Sequence, residues 1–484
     1  MESVLEILSY VFWVVLAITI LVFVHEMGHF LFAKLFKMRV DRFSIGFPPK
    51  IFGKKIGETE YVIGATPLGG YVKIAGMVDE SMDTDFLESE PQEWEFRSKP
   101  VWQRMIVISA GVVFNVLLAF VIFTGLKLAY GDAYIPAENV ESVYVADTSI
   151  AHRMGLRTGD RILAVSGRKL QEFDDIQSME SLISDPLTIT VLRDGDTMTF
   201  QGPADIFTQL NRSGGTLGIH FEPSIISGVV KDSPAESAGL VARDRILELD
   251  GKPVRFWAEM TGIIQATEGR PIAIRWFRAD SLLGEERDTD GIVAGEDDTP
   301  LVAGRAILVE ERPDGRVYEA VVTPEYRDGT YVVGIYPPTA DILQQEFGIV
   351  RREYGPIRAI ASGLEETWIN TKAIAVSLGR VFTGQENFRE NVGGPVMIAQ
   401  VTKQAAEAGA MFFWNIVALL SITLAIINIL PIPVLDGGHL AFLIYEGIVR
   451  REPSLRLRMI MQQVGMVLLL AFMTFVIVND ILKL

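Results

Sequence analysis

Four stretches of this chain are long and apolar enough to cross the hydrocarbon core of a bilayer, which takes about 20 residues. They run from Ile7 to about Phe36, from Met105 to about Ala129, from Met411 to Leu435 and from Met459 to Val478. Each is longer than a usual core helix, and four together exclude a soluble helical fold. The first reads as an anchor and not as a cleaved signal, because no basic residue precedes its apolar run and no small-residue cleavage pattern follows it. It carries His25, Glu26 and His29 in its second half, the third run carries Asn428 and ends at Asp436, and the other two have no ionisable residue in their apolar cores.

Charge is distributed unevenly around these spans. Residues 131–350 hold 37 acidic and 20 basic side chains, which accounts for the whole formal charge of -17, while the rest of the chain holds 24 of each. The loop after the first span is basic (Lys37, Arg39, Arg42, Lys50, Lys54, Lys55, Lys73, Arg97 and Lys99), and so is the loop between spans three and four (Arg450, Arg451, Arg456 and Arg458). Lys and Arg in short loops mark the cytoplasmic side. Four spans therefore put both basic loops in the cytoplasm, with the acidic block and both termini outside. An acidic balance excludes nucleic acid as the main partner, since phosphate binding needs clustered Lys and Arg. The absence of cysteine excludes disulfides, thiolate metal sites, iron–sulfur clusters and a cysteine nucleophile.

The acidic block contains a duplication. Ala151, Gly155, Leu156, Asp160, Arg161, Ile162, Leu163 and Gly167 recur as Ala235, Gly239, Leu240, Asp244, Arg245, Ile246, Leu247 and Gly251, a constant offset of 84. The strand-like alternation from Pro186 to Val191 recurs from Pro271 to Trp276, and Gly218-Ile219 recurs as Gly334-Ile335 at an offset of 116. The second copy thus carries extra residues, expected over about 279–304, a polar Gly/Asp/Glu-rich loop. Each unit, with its short helix, Gly-Leu turn, Asp-Arg-Ile-Leu strand and Gly turn, resembles the core of a PDZ domain, a fold that binds extended peptides at a sheet edge. Two β-rich spacers without a ligand remain the alternative.

His25-Glu26-Met27-Gly28-His29 is the chemical centre of the sequence. Residues four apart share one helix face, so both imidazoles can turn to one metal ion, with Glu26 placed as general base. Ionisable residues within a span are costly and are kept where they face a cavity or one another. Catalytic zinc takes three protein ligands and keeps one open position. Asp436 is the best candidate for the third, in the segment Asn428-Ile429-Leu430-Pro431-Ile432-Pro433-Val434-Leu435-Asp436-Gly437-Gly438-His439. Its two prolines break a helix and its two glycines allow close backbone approach.

The HExxH motif, the Asn428–His439 segment with Leu435-Asp436-Gly437 at its core, and Gly111-x-x-x-Asn115 in span two together resemble the site-2 proteases, intramembrane zinc metalloproteases, over nearly the whole chain and in the same order. The resemblance implies that His25, His29 and Asp436 bind zinc and that Glu26 activates water. It implies that Asn428 positions the substrate or polarises its scissile carbonyl, and that Asn115 lines the cavity. The segment with Asn391 and Pro395 resembles one implicated in substrate handling. Residues 40–75, with Gly70 and Tyr71, resemble a membrane-associated β-hairpin that presents an edge strand, near Gly70 to Ile74, to an unwound substrate.

The fold expected is an α-helical polytopic membrane protein of four transmembrane helices (1–36, 101–130, 411–436 and 459–484). A cytoplasmic-side loop with the membrane-associated β-hairpin fills 37–100, two extracytoplasmic PDZ-like α+β domains fill 131–222 and 223–345, linker helices and the substrate-handling loop fill 346–410, and a cytoplasmic loop fills 437–458. The implied partners are the lipid bilayer and a single-pass membrane protein, in this family typically an anti-sigma factor already trimmed outside by another protease. Two other readings stay open: a membrane-anchored PDZ scaffold with a non-catalytic metal site, and an enzyme cutting soluble or signal-peptide substrates at the outer surface. His439 is either a support for the metal loop or an interfacial residue, and His152 and His220 read as surface residues. The amphipathic stretch from Ile357 to Val381 is expected either on the membrane surface or packed on the outer domains.

Overall fold

Where water is excluded, an apolar segment can satisfy its backbone only through its own hydrogen bonds, and the long apolar runs of this chain are helical accordingly. A computed structural model describes residues 2–77, 90–280, 293–294, 305–327 and 329–483, which fall into two units, 1–132 with 352–484, and 133–351. In the first unit α1 spans Glu2–Leu35, the paired strands β1 and β2 span Val40–Ile56 and Thr59–Ile74, and α2 spans Val101–Tyr130. After the second unit come α3 (Pro356–Phe382), α4 (Pro395–Ala408), α5 (Ala410–Ile429), α6 (Asp436–Val449) and α7 (Leu455–Lys483). Among the described residues four helical stretches are long and apolar enough to cross a membrane: Val11–Leu35, Val101–Tyr130, Ala410–Ile429 and Arg456–Leu482.

The third of these differs from the sequence expectation. Its helix stops at Ile429 instead of reaching Leu435, and Asp436 stands at the first position of α6, not at the end of the span. Pro431 and Pro433 have no N–H to continue the ladder, and each disfavours helical backbone in the residue before it. Chain then resumes as helix through the apolar run from Leu440 to Val449, within the stretch expected as the 437–458 loop.

The strands β1 and β2 form more than a simple ladder. Val40–Ile45 pairs with Gly70–Ile74 on one side and with Glu60–Ile63 on the other, as in Arg42 opposite both Lys73 and Glu60, while Lys50–Ile56 pairs with Thr59–Gly64. Four extended segments result, with Gly70–Ile74 at one edge. Along that edge no further strand pairs among the described residues.

The Ile357–Val381 stretch lies within α3, which packs lengthwise on α2 and α5. A Cβ on Gly363 would lie 2.3 Å from Thr124 Oγ1, Glu366 pairs with Lys127 at 2.9 Å, and Ile374 joins the apolar cluster of Ala119, Phe123, Ala418 and Ile422.

The second unit holds two hydrophobic cores, one within 135–219 and one within 226–333. The offset of 84 recurs in the structure: strand Arg161–Val165 answers Arg245–Leu249, and Asp160, gripped by Arg193 through 2.7 and 2.8 Å hydrogen bonds, answers Asp244, gripped by Arg278 through 2.8 and 2.7 Å bonds. The expected insertion over 279–304 falls almost entirely outside the described residues.

Candidate metal centre and active site

His25 and His29 project from one face of α1 and are 7% and 8% exposed. Two glycines let α1 and α2 approach closely enough to enclose them. A Cβ on Gly28 would lie 2.5 Å from the Ala110 carbonyl oxygen, and one on Gly111 would lie 2.5 Å from His29 Nε2 and 2.6 Å from His25 Cε1. Asp436 arrives from the broken end of α5. In that turn Val434 sits at φ 86°, a conformation that a β-branched residue adopts only where its surroundings hold it. The first turn of α6 then packs directly on the turn, since a Cβ on Gly437 would lie 2.2 Å from the Leu430 carbonyl oxygen and one on Gly438 2.4 Å from that of Ile432.

These constraints bring three donor atoms to one point. His25 Nε2 lies 3.1 Å from Asp436 Oδ2, His29 Nε2 lies 3.5 Å from the same oxygen, and the two ring nitrogens are 3.2 Å apart. Tetrahedral zinc, with bonds of about 2.0–2.2 Å, separates its ligand atoms by about 3.3–3.5 Å. Asp436 Oδ2 is also buried with no hydrogen-bond donor of its own.

The far sides of both imidazoles agree with that use. His29 Nδ1 lies 2.8 Å from the Val107 carbonyl oxygen, which only an N–H can satisfy, so Nε2 keeps its lone pair free. His25 Nδ1 lies 3.2 Å from the Asn115 side-chain amide. A half-turn of the terminal amide presents either its oxygen or its nitrogen to the ring. With Nδ1–H as donor and Asn115 Oδ1 as acceptor, an oxygen otherwise buried without a partner is satisfied and His25 Nε2 is likewise freed. The donor set therefore fits a zinc ion.

Around this cluster lies a cavity of about 600 Å³ walled by His25, Glu26 and His29 of α1, by Gly69–Ile74 of β2, and by Asn428, Val434, Leu435, Asp436 and His439. Gly70 packs tightly on β1 and α1, where a Cβ would lie 2.7 Å from the Ser44 carbonyl oxygen and 2.9 Å from Val22 Cγ1, and the Val72 N–H donates to the Glu26 carboxylate. The Tyr71 hydroxyl accepts from Arg42 Nη1 at 3.1 Å. Asn428 Nδ2 lies 3.4 Å from His25 Nε2 and lines the same cavity. Such an arrangement provides three metal ligands, a carboxylate for proton transfer, an amide donor and the edge segment Gly70–Ile74, all bordering one space.

Asn391 and Pro395 do not line this cavity. The Asn391 amide donates to the Asn387 carbonyl at 2.9 Å, and Pro395 opens α4, whose Val396 and Met397 N–H groups donate to Asp480, both at 3.1 Å. His152 and His220 belong to the second unit and are not members of the cluster. Sequence reasoning missed Val107, which acts through its carbonyl and so carries no side-chain signature. It also missed Arg104 and Glu446, a buried ion pair 342 residues apart.

Comparison with known proteins supplies the context. The profile of peptidase family M50 matches residues 13–472. The chain is 31% identical to the regulator of sigma-E protease RseP of Escherichia coli strain K12 over 485 residues, covering 97% of this chain and 98% of the relative. It is 29% identical to a Neisseria meningitidis protein provisionally named a zinc metalloprotease, over 97% and 98% of the two chains. It is also 28% identical to the protease RseP of Yersinia pestis, again over 97% and 98%. With a family match across almost the whole chain and a relative above 30% identity end to end, the chain belongs to peptidase family M50, the metalloendopeptidases of the site-2 protease type.

Proposed function

We propose that this protein is a zinc-dependent intramembrane endopeptidase that cuts within the transmembrane segment of single-pass membrane proteins. The observation that carries the reading is the convergence of His25, His29 and Asp436 on one point beside Glu26 and the edge segment Gly70–Ile74 of β2. Zinc, when bound by these three residues, polarises the scissile carbonyl and makes water acidic enough to yield its proton near neutral pH. Glu26 accepts that proton and returns it to the departing amine, so one carboxylate serves as base and then as acid. The Asn428 amide, which lines the same cavity, donates to the scissile carbonyl oxygen or to the neighbouring peptide. Asn115 and the Val107 carbonyl hold the imidazoles in the tautomer that leaves Nε2 free.

A transmembrane helix buries its amides in its own hydrogen bonds and must unwind before any of them can be cut. The edge Gly70–Ile74 offers an extended substrate the backbone partners that it loses, by strand addition. Gly70 lets this segment pack closely on Ser44 and Val22, and Tyr71, tied to Arg42, stiffens the edge. We assign β1 and β2 as a membrane-associated hairpin on the cytoplasmic side, in line with the basic loops. Asn391, which ends the short helix Phe388–Asn391, and Pro395, which opens α4, contact substrate on its way to the cavity. The acidic unit, read as two PDZ-like domains over 131–222 and 223–345, lies outside and screens substrates by the size or terminus of their ectodomains. Substrates of the anti-sigma type, already trimmed outside, match such a filter.

The test is Glu26→Gln in proteoliposomes with a model transmembrane substrate. Cleavage is expected to fall by at least about 10²–10⁴-fold, the usual contribution of a general base, with zinc content unchanged. Undiminished cleavage removes Glu26 from the mechanism, and zinc binding without turnover in the parent protein favours a scaffold.

A further inference from the structure

Arg104 and Glu446 form a buried ion pair that the chemistry above does not use. They are 5% and 8% exposed, and the guanidinium engages both carboxylate oxygens, Nη1 to Oε2 at 3.1 Å and Nη2 to Oε1 at 2.5 Å. Arg104 Nε donates to the Lys99 carbonyl at 3.0 Å, so the fork itself is oriented by backbone. A buried pair adds little net stability, because desolvation offsets attraction, but its bidentate geometry fixes direction and register.

Its place in the fold gives that geometry a use. On α2, Arg104, Val107, Gly111 and Asn115 recur at helical spacing and form one buried stripe. Asn115 orients His25 and the Val107 carbonyl orients His29. The remaining ligand, Asp436, begins α6, and Glu446 lies ten residues further along the same helix, about 15 Å at 1.5 Å per residue. Gly437 and Gly438 seat the front of α6 on the Leu430–Pro433 turn, and Leu443 packs in an apolar cluster with Val107 and Ile108. Apolar contacts are non-directional, so they let a helix rotate at small cost, whereas a forked ion pair does not.

We propose that the Arg104–Glu446 pair is a positioning contact for the third zinc ligand, holding α6 on the helix that already orients both histidines. All three ligand residues are then referred to one face of α2, and their separations are set by a single rigid element. The inference rests on the reading of His25, His29 and Asp436 as zinc ligands.

The experiment measures zinc affinity of the purified full-length protein by chelator competition, together with the melting temperature of the zinc-free form. Four variants are compared with the parent: Glu446→Ala, Glu446→Gln, Asp436→Asn and Lys127→Met. The last breaks ion pairs at the opposite end of α2, where Lys127 meets Asp132 at 2.8 Å and Glu366 at 2.9 Å. Glu446→Ala is expected to weaken zinc binding by about tenfold, the low end of the effect of losing a group bonded directly to a ligand, since Glu446 acts on Asp436 only through α6. Glu446→Gln, which keeps the shape and loses the charge, should fall between it and the parent. Lys127→Met should melt earlier yet bind zinc as the parent does. If the Glu446 variants bind within about threefold of the parent while Asp436→Asn does not, the positioning role is overturned and the ligand reading stands. Equal weakening in Lys127→Met also overturns it, as general loosening. Parent-like binding in Asp436→Asn overturns the ligand reading itself. Should Glu446→Ala fail to accumulate, Glu446→Gln alone decides, with unchanged affinity counting against the proposal.

Discussion

Asn115 of α2 meets His25 of α1 across two adjoining helices, its side-chain amide 3.2 Å from Nδ1 and itself 0% exposed. An amide in that position has one polar task within reach, which is to take the proton of the ring and leave Nε2 bare. Asn115→Leu removes the acceptor and keeps the branched shape of the side chain. Zinc affinity should drop by about 10–100-fold, as when other outer partners of metal-bound histidines are lost. Chelator competition reads this directly, and unaltered affinity would show that the contact is only packing.

Gly111 and Gly125 lie on the same helix in opposite circumstances. A methyl group on Gly111 meets both imidazoles within 2.6 Å, whereas one on Gly125 meets nothing within 4 Å. Gly111→Ala should therefore displace the histidines and lower bound zinc well below one ion per chain. Gly125→Ala should bind zinc normally and gain about 0.5–1 kcal/mol from reduced unfolded-state freedom. Metal analysis and thermal melting of the pair separate crowding at the site from any general effect of alanine.

Removal of zinc should act on one unit only. All three ligand residues lie in the unit formed by 1–132 and 352–484. Zinc at a hundred times its Kd is expected to stabilise that unit by about 2.7 kcal/mol through mass action. Amide hydrogen exchange in the presence and absence of chelator should show protection changing there, with residues 133–351 indifferent. Changes spread evenly over both would contradict a site confined to the helices.

Within the second unit, Arg278 is the partner of a carboxylate that is 0% exposed. Burial holds the Asp244 carboxyl above its ordinary range even with Arg278 beside it. Arg278→Met leaves that charge unpaired and should cost about 3–5 kcal/mol at neutral pH. Because the folded-state pKa is raised, the penalty belongs to the ionised form. It is present above that pKa and relieved as falling pH protonates the group. The difference in melting temperature between variant and parent should thus narrow toward acid, and a constant difference would refute the assignment.

The chain's one-dimensional pattern determined the number of helices able to cross a membrane, the two imidazoles on a shared helix face, the carboxylate beside a proline-broken turn, and the repeat at an offset of 84. Each is a local property, set by hydropathy, by helical period or by self-similarity, and so is written in contiguous residues. Tertiary structure decided the rest. That α5 ends at Ile429 and Asp436 opens a new helix depended on two prolines that interrupt the ladder and two glycines that pack against the carbonyls of Leu430 and Ile432. The long amphipathic helix α3 found its place along α2 and α5, which its periodicity, equally suited to a membrane surface, did not specify. The support of the histidines by a backbone carbonyl at Val107, and the grip of Arg104 on a residue 342 positions away, join groups whose meeting depends on chain path. A hydrogen-bond acceptor common to every residue, or a pair of charges far apart in the chain, leaves no local trace until folding brings its partner within 3 Å or so.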